Sequence, residues 1–194
     1  MLKELTVIKK QSLKIHNHLP NNYVLGNKKA LFHTMSNYYL KTKENIFDYL
    51  PLTFHIQNGI EDNEYLKFLN HFYDRAKKLR MKEKAKKSGI IGDEGESSPK
   101  LIRNMWIVKP GEFTNRGNGI NVCMNLEEIK KILKKREKHD NGKLKTYIIQ
   151  SYLERPFLYQ RRKFDIRHFI MITSTEGRIK GYWYEFGYIR TTSF

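Results

Sequence analysis

Apolar positions along the chain switch between a helical period and short continuous runs, and the switches predict its elements. Between Asn27 and Leu40, the positions Leu31, Met35 and Tyr38/Tyr39 recur at helical spacing, so a helix is expected there. Pro51 breaks that pattern, and Thr53–Ile56 reads as a short strand. Asp62 is placed to cap a long helix whose apolar stripe is Leu66, Leu69, Tyr73, Ala76 and Leu79. The end of that helix, from Arg75 to Lys87, is strongly basic. Ser88–Lys100, rich in Gly and Ser and containing Pro99, reads as a linker or mobile loop. Beyond it, short apolar runs predict strands at Met105–Val108, Ile120–Met124 and Tyr147–Gln150. Asn125 with Glu128 three residues on forms a capping box for a helix that buries Leu126, Ile129, Ile132 and Leu133. Two further strands, Ile166–Thr173 and Ile179–Phe186, flank the turn Ser174–Gly177. A short strand is also expected at Leu5–Ile8. Helices and strands in this mixture predict an α+β chain.

Composition narrows the partners. The chain has 194 residues, enough for one domain or two small ones, and 39% of them are hydrophobic, enough for a core. Lys and Arg number 37 against 20 Asp and Glu, a net charge of +17. Such a field draws polyanions: nucleic acid, an acidic membrane face or an acidic protein. Cys123 is the one cysteine, so it reads as a small core residue, and neither an internal disulfide nor a cysteine zinc cluster can form. No run approaches the 18 or so apolar residues of a membrane span, and the chain reads as cytoplasmic.

The candidate chemistry lies in two places. Lys109 puts a cation at the end of the Met105–Val108 strand, and the loop after it, Asn115–Gly119, must turn sharply around two glycines. A cationic, glycine-rich hairpin loop suits a phosphate, although a strand-ending lysine and an Asn-Gly pair are also ordinary surface features. In Lys163–Arg167, strand alternation would set Lys163, Asp165 and Arg167 on one face and Phe164 and Ile166 on the other. That face either is wet or holds a charged ligand.

Together these pieces are more specific than any of them alone. WIVKPGEFTNRGNGI, YIIQSYLERPFL, RKFDIRHFIMIT and GYIRTT, in this order and spacing, resemble the tubulin–tyrosine ligase-like family. The resemblance runs through most of residues 101–194. It implies an ATP-grasp fold, here incomplete: an N-terminal lobe over 1–100 ending in the basic helix and the 88–100 linker, then a central lobe and the first strands of a C-terminal lobe over 101–194. The activity it implies is ATP-dependent ligation of an amino acid to a protein carboxylate, through an acyl phosphate. Nucleotide contacts are then expected from Lys109, Arg116, Gly117, Gln150, Ser151, Tyr152, Leu153, Lys163, Phe164 and Asp165. Arg167 and Arg190 are expected at the reacting end, with Arg190 gripping the incoming amino acid and Arg116 also touching the protein acceptor. Trp106, Ile107, Phe164 and Ile166 are assigned to packing. The family's magnesium ligands are expected beyond Phe194, so no metal ligand is assigned and these residues are not expected to complete catalysis alone.

The resemblance also implies tubulin as partner, held through its acidic tails, and a place on the cytoskeleton, cilium or basal body included. Glutamate is the expected amino acid and glycine the alternative; a non-catalytic microtubule binder is the reading from a different class. A nucleic-acid binder stacking bases on Phe169, Tyr182 and Trp183 is a third, with no recognised motif behind it.

Overall fold

A computed structural model describes residues 17–89, 103–112 and 117–193. The strand expected at Leu5–Ile8, the linker from residue 90 to 100, and Arg116 lie outside the described residues. Contacts divide the chain into two compact units, a larger one at Tyr23–Lys163 and a smaller one holding the strands from Phe164 onward.

The larger unit opens with α1 (Tyr23–Gly26) and α2 (Lys28–Thr42). Asn27 caps α2 by accepting from the amides of Lys29 and Ala30 at 3.1 and 3.3 Å. After β1 (Thr53–Ile56) comes α3 (Asn63–Lys87), then β2 (Trp106–Pro110), β3 (Asn121–Cys123), α4 (Leu126–Lys134) and β4 (Tyr147–Ser151). The expected caps form. Asp62 accepts from the Glu64 amide at 2.9 Å, and also from Gln57 and Asn58. Asn125 accepts from Glu128, which reaches back to the Met124 amide.

The four strands form one antiparallel sheet in the order β1-β4-β2-β3. One sheet thus joins β1, from before residue 100, to strands from after it. Alternation gives the sheet two faces. Phe54, Ile56, Trp106, Val108, Cys123, Tyr147 and Ile149 turn to the helices and share a core with Tyr65, Phe68 and Phe72 of α3 and Leu126, Ile129 and Leu133 of α4. Cys123 is one of its fully buried members, and burial pushes its thiol up to about 11.

The stripe of α3 differs from expectation by one residue. Leu66 and Tyr73 are more than half exposed, while Tyr65, Phe68 and Phe72 are buried and Leu69 is packed part-way. The two stripes have the same spacing. The aromatic one wins because it offers more area and meets Trp106 edge-on, with Phe68 4.9 Å from it between ring centres.

On the opposite face, His55 is buried and shares a 2.9 Å hydrogen bond with His33 of α2. Burial, then His33 and Lys29, lowers its pKa from 6.5 to about 4. The folded state therefore binds this proton more weakly than the unfolded chain. The stability from neutral His55 is complete above pH 6.5 and is lost as pH falls toward 4, by about 2 to 3 kcal/mol. Denaturation at pH 7 and at pH 4.5 should show that fall, and His55→Asn should remove the His55 share of it, leaving the part due to the carboxylates, which also titrate near pH 4.5.

The smaller unit holds β5 (Phe164–Arg167), β6 (Ile170–Thr175), β7 (Arg178–Trp183) and β8 (Tyr188–Thr191). The single strand expected at Ile166–Thr173 is broken: β5 pairs with β8, whereas β6 forms a hairpin with β7. The strand expected at Ile179–Phe186 ends at Trp183, and Ile166, expected to pack, is 65% exposed.

Candidate nucleotide site

On the sheet face turned away from α3 and α4, a chain of hydrogen bonds crosses three strands. Lys109 of β2 donates through Nζ to Oε1 of Gln150 at 2.8 Å. Gln150 Nε2 donates to Thr53 Oγ1 at 2.8 Å, and Thr53 donates to the Pro51 carbonyl at 2.6 Å. Register allows this meeting: Thr53 lies opposite Gln150 on one side and Ile107 on the other, and Lys109, two residues beyond Ile107 on the same face, is Gln150's diagonal neighbour. Burial and then the nearby charge of Lys28 pull the Lys109 pKa below its ordinary value. The charge of an arriving anion would favour the ammonium and offset both effects, and the ammonium has further N–H groups to offer it.

The loop after Lys109 is pinned at both described ends. The Gly111 amide donates to the Thr146 carbonyl at 2.8 Å, and a Cβ at Gly111 would lie 2.2 Å from Thr146 Oγ1, so only glycine fits. Glu112 accepts from the Thr146 amide and hydroxyl and pairs with Lys29. At the far end Gly119 has φ +72° and packs against Pro110. Gly117, with φ +80°, closes a turn by accepting from Ile120.

The end of β4 divides between the two faces. Gln150 sits with Lys109, whereas Ser151 turns to α3, where its hydroxyl accepts from Arg75 at 3.0 Å. Arg75 also pairs with Glu154 at 2.8 Å, donates to the Arg103 carbonyl, and lies over Trp106. Ser151, Tyr152, Leu153 and Glu154 line an open cavity of about 950 Å³ with Arg75, Leu79 and Lys82. That cavity is on the helix side of the sheet, not on the face that carries Lys109. Arg75 was missing from the sequence reading beyond its place in a basic run. The signal existed: Tyr65, Phe68, Phe72 and Arg75 keep one helical spacing, so Arg75 continues the buried stripe.

Lys163, the last residue of the larger unit, donates to the Tyr152 hydroxyl at 2.8 Å and lies over its ring. It precedes β5, so the face expected to carry Lys163, Asp165 and Arg167 carries only the latter two. In the smaller unit Asp165 pairs with Arg190, its partner across the β5–β8 ladder. Phe164 begins β5 opposite Thr191.

Among the described residues, no group of three or more His, Cys, Asp or Glu is placed to hold a metal ion. Glu112, Glu154 and Asp165 are each committed to a cation. The described residues thus do not fit a magnesium site, and no step is derived through one. Lys109, partly desolvated, is a cation that an anion such as a phosphate could engage. No helix among the described residues is long and apolar enough to cross a membrane.

Known proteins extend this picture. The chain is 36% identical over 118 residues to tubulin glycylase 3B of Drosophila melanogaster, covering 58% of the chain and 15% of that protein. It is 40% identical over 76 residues to the human tubulin monoglycylase TTLL3, 37% of the chain and 9% of the relative. With tubulin glycylase 3C of Tetrahymena thermophila it shares 40% identity over 70 residues, 36% of the chain and 6% of the relative. It spans only a small part of each relative's length. The model of the tubulin-tyrosine ligase family matches residues 7–194, and the chain belongs to that family.

Proposed function

We propose that this chain is the nucleotide-binding part of an ATP-dependent ligase that joins glycine to carboxylates of tubulin, built on an ATP-grasp fold. Family membership supports the ligase reading. The names of the relatives, glycylases in three organisms, favour the glycine alternative over the glutamate expected from sequence. The observation that carries the nucleotide assignment is the Lys109–Gln150–Thr53 chain.

Bound ATP supplies the phosphoryl group that activates the acceptor carboxylate. Lys109 receives the phosphates as a fixed, part-desolvated charge, which strengthens its pull on them. Gln150 is held by Lys109 on its oxygen and by Thr53 on its nitrogen, so its amide is oriented before ligand arrives. Lys163 and Tyr152 stiffen the segment beyond it. In the smaller unit, Arg167 and Arg190 outnumber Asp165 on one strand face, which suits a carboxylate. The net charge of +17 suits acidic tubulin tails, and the exposed lysines late in α3 and on α4 are the docking candidates.

The test is incorporation of labelled amino acid into tubulin by the full-length protein, with and without ATP. Glycine incorporated in an ATP-dependent way, with glutamate at background, is the expected result. Glutamate incorporation restores the alternative donor, and incorporation of neither, with tubulin binding intact, leaves a non-catalytic binder.

A further inference from the structure

The pairing of Asp165 with Arg190 points to a role for Asp165 different from the nucleotide contact expected of it. The inference rests on the reading of Arg190 as the group that grips the incoming amino acid. In the β5–β8 ladder Asp165 lies opposite Arg190 and Arg167 opposite Tyr188. Alternation then puts these four on one face and Phe164, Ile166, Ile189 and Thr191 on the other.

The contacts between the pair are one-sided. Nε of Arg190 donates to Oδ1 and Oδ2 of Asp165 at 3.2 and 3.0 Å, and Nη2 donates to Oδ2. Nη1 makes no hydrogen bond among the described residues. A guanidinium is planar, with five N–H donors in a rigid fork, and each edge matches one carboxylate. Asp165 therefore fills the edge that includes Nε and leaves the Nη1–Nη2 edge free.

We propose that Asp165 is a positioning residue: it clamps the Nε edge of Arg190 so that the free Nη1–Nη2 edge is aimed to take the carboxylate of the incoming amino acid. Fold stability does not account for the pair, because both side chains are half exposed and such pairs contribute little. Orientation does, since a free arginine side chain spreads over many rotamers that a clamp removes in advance. The face tolerates a second carboxylate because it bears two arginines and a single acid. The Arg190 hydrogen bond keeps Asp165 below its ordinary pKa, so the clamp is charged at neutral pH.

The test is steady-state kinetics of the full-length protein with the amino acid that the wild type incorporates. Asp165→Asn keeps the shape and drops the charge. Its KM for the amino acid should rise by about tenfold or more, the loss typical of a hydrogen bond to a charged group, while KM for ATP stays within about twofold. Asp165→Glu should recover most of the loss. A rise in the ATP KM alone would return Asp165 to the nucleotide, and no change in either KM would leave the pair idle; both overturn the proposal. A second measurement needs no variant: NMR of the Arg190 side-chain nitrogens during amino-acid titration. The proposal expects Nη1 to shift while Nε stays on Asp165; a moving Nε means that the substrate displaces Asp165, and the clamp fails. Failure of the wild type to incorporate any amino acid would instead sink the proposed function, and the NMR titration would still judge the clamp.

Discussion

Replacing Lys109 with Ala is expected to weaken ATP binding by about tenfold to a hundredfold, the usual loss for a charged hydrogen bond of 1.5–3 kcal/mol. The lysine is part-desolvated, held in place by Gln150, and set in the field of Lys28. Its charge therefore acts on a phosphate through less water than a surface lysine would. The fold should survive, because Lys109 lies outside the core cluster and its loss costs one hydrogen bond to Gln150. Lys78→Ala is the matched control. That side chain lines the cavity on the helix side, so its loss should leave ATP affinity within about twofold. Titration calorimetry with ATP reads both, and equal losses in the two variants would remove the preference for the Lys109 face.

Phe68→Ala is expected to destabilise the larger unit by about 3–5 kcal/mol. Phe68 is fully buried and touches the rings of Phe54, Tyr65, Phe72 and Trp106, so truncation opens a cavity at the centre of the core. Leu66→Ala, two residues away and half exposed, should cost less than about 1 kcal/mol. Chemical denaturation of the two variants distinguishes the stripes directly. A costly Leu66→Ala with a mild Phe68→Ala would mean that α3 is turned as the leucine pattern suggests.

That reversal shows where sequence was informative and where it was not. Helix starts were legible as caps at Asp62 and Asn125, because a cap is local chemistry within four residues of chain, and the start near Asn27 was legible from apolar spacing. The rotation of α3 was not, since two stripes of equal period lay side by side and only the sheet opposite them could choose. The break between β5 and β6 was hidden for a similar reason. Apolar residues run on through Phe169 and Ile170, and nothing local records that β5 takes its partner from the far end of the segment. At the candidate site, Lys109 and Gln150 came from motif resemblance, and the structure adds that they bond to each other across strands. Ser151 and Leu153 come from the same resemblance, yet both line the cavity beside α3; for Ser151, the last residue of β4, strand alternation turns it from the Gln150 face. The tie of Lys29 to Glu112, 83 residues apart, had no local sequence signal.

The basic surface has a related consequence. Arg75 reads as one of many cations late in α3, but its bonds to Ser151, Glu154 and the Arg103 carbonyl make it a brace between α3, the end of β4 and the segment before β2. Charges available to an acidic tail are therefore the exposed lysines around it, and their contribution should fade with added salt.

The central claim is that nucleotide phosphates meet the Lys109 face and not the cavity beside α3. An acyl-phosphate derivative of ATP tests it most directly, because a lysine amine next to the phosphates attacks the acyl carbon, takes the acyl group and releases the nucleotide. Peptide mapping after labelling should find the acyl group on Lys109, with labelling suppressed by excess ATP. Label on Lys78 or Lys82, suppressed in the same way, would place the phosphates on the helix side and contradict the account.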